Sequence, residues 1–183
     1  DLLTYARSKP GSLNYGSAGS GSIQHVGMEL FKFMTGVNIV HVPYKGGGPA
    51  LIDLISGRIQ IMPSVTITVA PHLKSGKLRA IAIASEQRIQ IYPDLPTVSE
   101  SGVPGFELTN MYGLYAPAGT PPAIISALNR EVGQIMGLPE LKHTLAADGV
   151  EPAAPTTPDE FKDIVTKEFN KWATFLKASK IEL

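Results

Sequence analysis

No cysteine occurs anywhere in the 183 residues. Disulfides, thiolate nucleophiles and thiolate metal sites are therefore excluded. Charge of one sign is not in excess either, since sixteen Lys and Arg residues balance sixteen Asp and Glu residues. No global field draws the chain to nucleic acid or to an anionic membrane. Long apolar runs are lacking too. The longest are stretches such as Ala80-Ile81-Ala82-Ile83-Ala84, far below the ~20 residues of a membrane-spanning helix. The opening residues, Asp1-Leu2-Leu3-Thr4-Tyr5-Ala6-Arg7, have neither the basic start nor the apolar stretch of a secretory signal. They read as the middle of an amphipathic helix, as expected of a mature or truncated piece of something longer. What is present is 43% hydrophobic and 17% charged, the balance of a globular chain and not of a disordered one. The length suits one ordinary domain or two small ones.

The first half alternates short apolar strands with helices. Leu13-Asn14-Tyr15-Gly16 predicts a strand that runs into the small-residue loop Ser17-Ala18-Gly19-Ser20-Gly21-Ser22. Ile23, Val26, Leu30, Phe31 and Met34 recur at helical spacing, and Gly36 ends that helix. Asn38 to Val42 reads as a β-branched strand. Pro43 to Gly48 is a loop, and Pro49 is expected to open a helix with Leu51, Ile52, Leu54 and Ile55. Gly57 stops it before a strand at Ile59-Gln60-Ile61-Met62. A helix around Val69 to Lys74 leads to a strand at Leu78 to Ile83, apolar at nearly every position, as for a strand covered on both faces. Strands alternating with helices predict a parallel, doubly wound α/β sheet.

After Ser85 the pattern changes. Ile91 to Val98 reads as a loop into a short helix, and Phe106 to Ala116 as an extended stretch. Thr120 is expected to cap a helix with Pro121 at its first position and an apolar stripe at Ile124, Ile125, Leu128, Val132 and Ile135. A short helix near Pro139 to Ala147 follows. Thr157-Pro158-Asp159-Glu160 is a capping box, opening a helix with Phe161, Ile164, Val165, Phe169, Trp172, Phe175 and Leu176 on one face. The aromatic residues of that face are expected in the core.

The loop from Gly16 to Ser22 is the most informative feature. Small residues let a ligand approach the backbone, the helix start presents free N–H groups, and the helix dipole favours an anion. The plainer reading is a tight turn with Ser20 or Ser22 as a helix cap. It is not a Walker loop, because Ser22-Ile23 stands where Lys and Ser/Thr would follow Gly21. Gln24 replaces the third glycine of a dinucleotide fingerprint, and no Gly-x-Ser-x-Gly elbow exists. Two further loops follow strands. Tyr44 could wall a ligand or donate a hydroxyl, and Lys45 could supply a point charge; Ser64 and Thr66 offer hydroxyls, or simply cap the next helix. The histidines at 25, 41, 72 and 143 show no metal-ligand spacing. His25 falls where it could line the cleft or make a structural hydrogen bond, and His41 reads as structural.

Several stretches together resemble one family. They are Asp1 to Ala6, Pro10 to Ser22, Val40 to Gly46, Ser75 to Ala82, Pro93 to Gly102 and Gly113 to Pro121. In this order they resemble the Bug-type receptors, the extracytoplasmic substrate-binding proteins of tripartite tricarboxylate transporters. The resemblance implies a periplasmic-binding-protein type II-like α/β fold, with one complete lobe plus C-terminal helices of the other. Residues 1–110 would be the second, ligand-binding lobe. Residues 111–183 would be a crossover strand and helices belonging to a first lobe whose N-terminal part is missing. It further implies a periplasmic, non-enzymatic receptor that closes around a small mono- or dicarboxylate, works with a membrane permease or sensor kinase, and needs no cofactor, metal or nucleic acid. By position the ligand would be held at Ser17, Ala18, Gly19, Ser20, Gly21, Ser22, Tyr44, Lys45 and Ser64, with His25 and Thr66 bordering the cleft. Many relatives carry Asp-Asn where this chain has Ser64-Val65, which disfavours an amine-bearing ligand. Two alternatives stand beside this reading: a phosphate-handling enzyme using the Gly/Ser loop, and an incomplete fragment that self-associates through its uncovered helices.

Overall fold

The computed structural model describes residues 2–147, 150 and 154–179. Contacts divide the chain into a first unit ending at Asn110 and a second beginning at Met111. The first unit holds α1 (Leu2–Ser8), β1 (Asn14–Ser17), α2 (Ile23–Thr35), β2 (Val40–Pro43), α3 (Gly47–Ile55) and α4 (Thr66–Lys74). The second holds α5 (Pro122–Gly137), α6 (Pro139–Ala147) and α7 (Pro158–Ser179).

β1 and β2 pair in parallel, with Tyr15 opposite His41 and Ser17 opposite Pro43. On its other edge β1 meets the segment 59–61: Tyr15 bridges Ile61, and the Gly16 N–H donates to the Ile61 carbonyl at 2.9 Å. Helix α2 forms where its local signals agree. Ser22 caps it by accepting from the His25 N–H, and Gly36 ends it at φ 68°, with its N–H returned to Lys32. The face it buries, through Met28 and Phe31, joins Ala6, Leu13, Tyr15, Val37, Ile39, Val103 and Phe106 in the core. Phe31 meets Phe106 edge-on at 6.0 Å. Gly27 lies so close to Leu108 that any Cβ would strike it, so the glycine sets how near the 106–108 segment comes to α2.

Several expected elements are shorter than their sequence suggests. The strand at 59–62 is reduced to the single bridge at Ile61, and the strand at 78–83 to one parallel bridge between Ile83 and Thr97. Ile81 is 53% exposed, so that segment is not covered on both faces. A continuous apolar run becomes a ladder only where a neighbouring backbone offers partners along its length. The short helix expected after Thr97 is a single turn. The Thr97 N–H donates to Glu100, the Glu100 N–H donates to the Thr97 hydroxyl, and Gly102 at φ 108° ends it. Helix α3 begins at Gly47, two residues before Pro49, with Gly46 as its cap.

In the second unit, Thr120 does not cap α5. Its hydroxyl donates back to the Pro117 carbonyl, Pro121 holds the cap position, and Pro122 opens the helix. The capping box of α7 forms, with the Thr157 N–H donating to Glu160 at 2.8 Å and the Glu160 N–H to the Thr157 hydroxyl at 3.2 Å. The Asn129 side chain donates to the Thr156 carbonyl and ties α5 to the start of α7. The expected apolar stripe of α5 is exposed at Ile124, Leu128, Val132 and Ile135. On α7, Phe175 is buried and Trp172 half-buried, whereas Phe169 is 70% exposed and is not core. Residues 111–116 carry no ladder partner among the described residues, where a crossing strand is expected. No helix among the described residues is long and apolar enough to cross a membrane.

Ile39 is fully buried at the entry to β2, and Ile52 is 66% exposed on α3. Ile39→Ala should therefore cost about 2–5 kcal/mol of unfolding free energy. Ile52→Ala should stay within about 0.5 kcal/mol. Urea unfolding followed by circular dichroism measures both.

Candidate functional site

The parallel pairing has a direct consequence. β1, β2 and the 59–61 segment run the same way, so the helices that follow them, α2, α3 and α4, all begin at one carboxyl edge. The loops there are joined by main-chain bonds: the Tyr44 N–H donates to the Ser17 carbonyl at 3.1 Å, and the Gly46 N–H to the Ala18 carbonyl at 3.2 Å. Gly19 sits at φ 128°, and a Cβ there would lie 3.3 Å from the Tyr44 carbonyl oxygen. Only glycine fits both the backbone angle and the close approach.

Within the Gly/Ser loop the residues divide by task. Ser17 is completely buried. Its hydroxyl contacts both backbone groups of Gly19 at 3.1 Å and lies 2.7 Å from His41 Nε2. Ser17 therefore shapes the loop from beneath and does not face outward. Ser22 is the cap of α2. The Val26 N–H reaches the Ser22 carbonyl and the His25 N–H its hydroxyl, which leaves the N–H groups of Ile23 and Gln24 without an acceptor among the described residues. Ser20 and Gly21 are exposed, and nothing lies within 4 Å of a Cβ built on Gly21. Ala18 is half-buried at the junction with the second loop.

Lys45 is exposed at the same edge. Tyr44 differs from expectation: its hydroxyl donates to Asp53 on α3 at 2.9 Å, and Asp53 also pairs with Arg58. The phenol is a strut between loop and helix, not a free donor; its ring remains as a wall near Gly16. Burial first and Asp53 second raise its pKa. Ser64 and Thr66 are half-buried beside the start of α4. Neither caps it, because Val65 holds the cap position and no side chain bonds into the first turn.

Sequence reasoning does not reach the column beneath the loop. Tyr15, His41 and His25 stack in order, with centroids 4.8 and 4.0 Å apart and ring planes within 18° and 10°. The Gly21 N–H donates to His25 Nδ1 at 3.1 Å. At the other end the Tyr15 hydroxyl donates to Glu29 at 2.7 Å, and Lys32 pairs with the same carboxylate oxygen at 2.6 Å. Burial, then Glu29, raises the Tyr15 phenol. Burial alone would raise Glu29 as well, but the hydrogen bonds from Lys32 and Tyr15 outweigh it and hold the carboxylate below its usual range. Burial lowers both histidines; for His41 the neighbouring His25 adds to this. The parallel register puts His41 over Tyr15, and alternation within one strand cannot reveal that register.

Ser17 and His41 have the separation of a nucleophile and its base. A fully buried oxygen already engaged with Gly19 cannot reach a substrate, so this pair is built to shape the loop. Among the described residues no group of three His, Asp or Glu side chains could hold a metal ion.

The profile of the tripartite tricarboxylate transporter family receptor, TctC, matches residues 1–181. The chain belongs to this family. BugT of Bordetella pertussis is 34% identical to it over 182 residues, which is 100% of this chain and 56% of BugT. Among solved TctC-type structures, an R. palustris protein with adipate superposes with a TM-score of 0.91 at 37% identity, over 98% of this chain and 60% of that one. Periplasmic binding protein BugD gives 0.88 at 29% identity, over 99% of this chain and 61% of its own. MatC from Rhodopseudomonas palustris with bound malate gives 0.84 at 32%, over 93% and 59%. The fold is thus that of the TctC periplasmic binding proteins. The chain spans 56% of BugT and about 60% of the solved relatives.

Two predictions follow from this geometry. Tyr44→Phe should cost about 1 kcal/mol in urea unfolding through loss of the Asp53 bond, and should leave any ligand affinity unchanged. Both histidines are neutral in the fold and protonate more readily once released, their pKa values being lowered from 6.5. The unfolded chain therefore takes up more protons below that pH, and stability present above 6.5 declines as pH falls. Glu29 acts only below its ordinary 4.5. Urea midpoints should fall between about pH 7 and about pH 5; a flat profile there contradicts the assignment.

Proposed function

We propose that this chain carries the anchoring side of an extracytoplasmic solute receptor that binds one end of a small organic carboxylate at the carboxyl edge of β1 and β2. The observation that carries the reading is the convergence of three helix starts on one edge, behind loops of glycine and serine. The unpaired N–H groups of Ile23 and Gln24 and the Ser20 hydroxyl suit an oxyanion, and the positive end of α2 adds to them. Lys45 supplies the nearby positive charge, and the Tyr44 ring and Ser64 border the site. Specificity of this kind is local, as befits a chain with no net charge. The adipate and malate of the solved relatives favour the same ligand class.

In this reading residues 1–110 form the second lobe, and residues 111–183 cross back and dress the first. The receptor works outside the cytoplasm, with BugD as the periplasmic precedent. It delivers its ligand to a membrane permease or reports it to a sensor kinase, and it turns nothing over. The exposed stripe of α5 and Phe169 favour self-association of the chain taken alone; a monomer by size-exclusion chromatography would remove that idea.

Calorimetric titration with adipate, malate and related acids is the direct test. At least one acid should give saturable heat. No binding by any acid, or turnover of an ester or phosphoester, would sink the reading. Gly19→Pro should weaken binding at least about tenfold with the circular dichroism spectrum retained. Proline can neither adopt φ 128° nor donate to Ser17.

A further inference from the structure

We propose that His25 is the positioning residue of the Gly/Ser loop: its neutral ring, laid flat against His41, holds Gly21 through the N–H to Nδ1 bond, so protonation of His25 releases the loop. The argument is geometric. A backbone N–H can only donate, so Nδ1 must carry a lone pair. The 3.1 Å bond therefore exists only while the ring is neutral. His25 is buried, at 5% exposure, and the His41 ring 4.0 Å away leaves it no room to tilt toward another acceptor. His41 is itself fixed from two sides, by Ser17 at 2.7 Å and by the Tyr15 ring.

The column thus grips the loop at two points: Ser17 through His41, and Gly21 through His25. The exposed part of the loop lies between them. A proton on His25 replaces an acceptor with a donor facing the Gly21 N–H, and places a cation against the His41 ring. The charged groups that bear on His25 are Glu29 and Lys32 on its own helix, which already neutralise one another, with His41 from β2 and Tyr15 from β1 completing its surroundings. Glu29 still favours a charge on His25, but burial of the ring outweighs it, and Lys32 on the same helix opposes it.

For its effect on ligand the inference rests on the carboxylate reading; for its effect on the loop it does not. Two measurements separate them. In the first, the 183-residue chain without ligand is followed by amide and imidazole NMR from about pH 7.5 to about pH 4.5. The Gly21 amide should shift with the midpoint of the His25 ring, and the Gly19 and Ser20 amides should broaden with it. His25→Asn offers a carbonyl oxygen in place of Nδ1 and cannot titrate. It should keep the Gly21 amide near its high-pH position at every pH, whereas His25→Ala should lose that position throughout. A Gly21 amide indifferent to the His25 titration overturns the proposal, whether or not acids bind.

In the second, adipate and malate affinities are compared at about pH 7.5 and about pH 5 for the wild type and His25→Asn. The variant shares the ligands' own titration and so sets the baseline. The wild type should lose about fivefold more affinity than the variant, in proportion to the fraction of loop released. Equal losses overturn the coupling to ligand. A Gly21 amide that follows His25 in a chain that binds neither acid leaves the tether standing and counts against the carboxylate reading alone.

Discussion

The backbone of β1 is hydrogen bonded along both edges, and most of the first unit depends on that. The strand is only four residues long, Asn14–Ser17. β2 takes one side of it and the 59–61 segment the other, all in parallel. A parallel neighbour on each side forces the three following helices to start at the same edge. Alternation along the strand then divides the space around it. Tyr15 and Ser17 face the histidine column and α2. Gly16 faces the other way, where a side chain would run into Ile59 and crowd Ala50 and Tyr44. The absence of a side chain at Gly16 lets α3 come close enough for its start to meet the Gly/Ser loop.

Local features were legible in the sequence where the chain settles them locally. Ser22, Gly36 and the Thr157 box sit where their side chains and backbone angles require, and α2 fills the stretch that its apolar spacing marks out. The family, too, could be read from short stretches in order. What escaped the sequence was everything that depends on a distant partner. The 78–83 run has the composition of a central strand, yet only Ile83 finds a partner, in Thr97. Tyr44 looked like a donor to a ligand because nothing in the loop hints that Asp53, nine residues on, takes the hydroxyl first. Ser17 counted as one of several equal loop hydroxyls, although it is the one turned inward. His25 and His41 lie sixteen residues apart; the register of β1 against β2 sets His41 beside Tyr15, and α2 lays His25 on its other face.

The polar groups beneath the loop form a graded sequence from charged to neutral. Lys32 and Glu29 form an ion pair at one end, the phenol of Tyr15 accepts no charge, and the two imidazoles are kept neutral by burial. Each polar atom that the fold buries there is answered by another, which avoids the cost of leaving a donor or acceptor unsatisfied. The result is a floor of zero net charge under a loop whose helix start carries partial positive charge. In the proposed site a negative ligand would lie above a Glu29 carboxylate that is already bonded to Lys32 and Tyr15.

The bonds that join the first two loops run from main chain to main chain, Tyr44 to Ser17 and Gly46 to Ala18. They are indifferent to which side chains the loops carry at Ser20 or Lys45. In the proposed receptor, scaffold and selectivity are therefore written in separate alphabets, one of amides and glycines, the other of side chains. Such a frame can exchange one ligand for another by changing a few surface residues, without first having to invent a new way to fold.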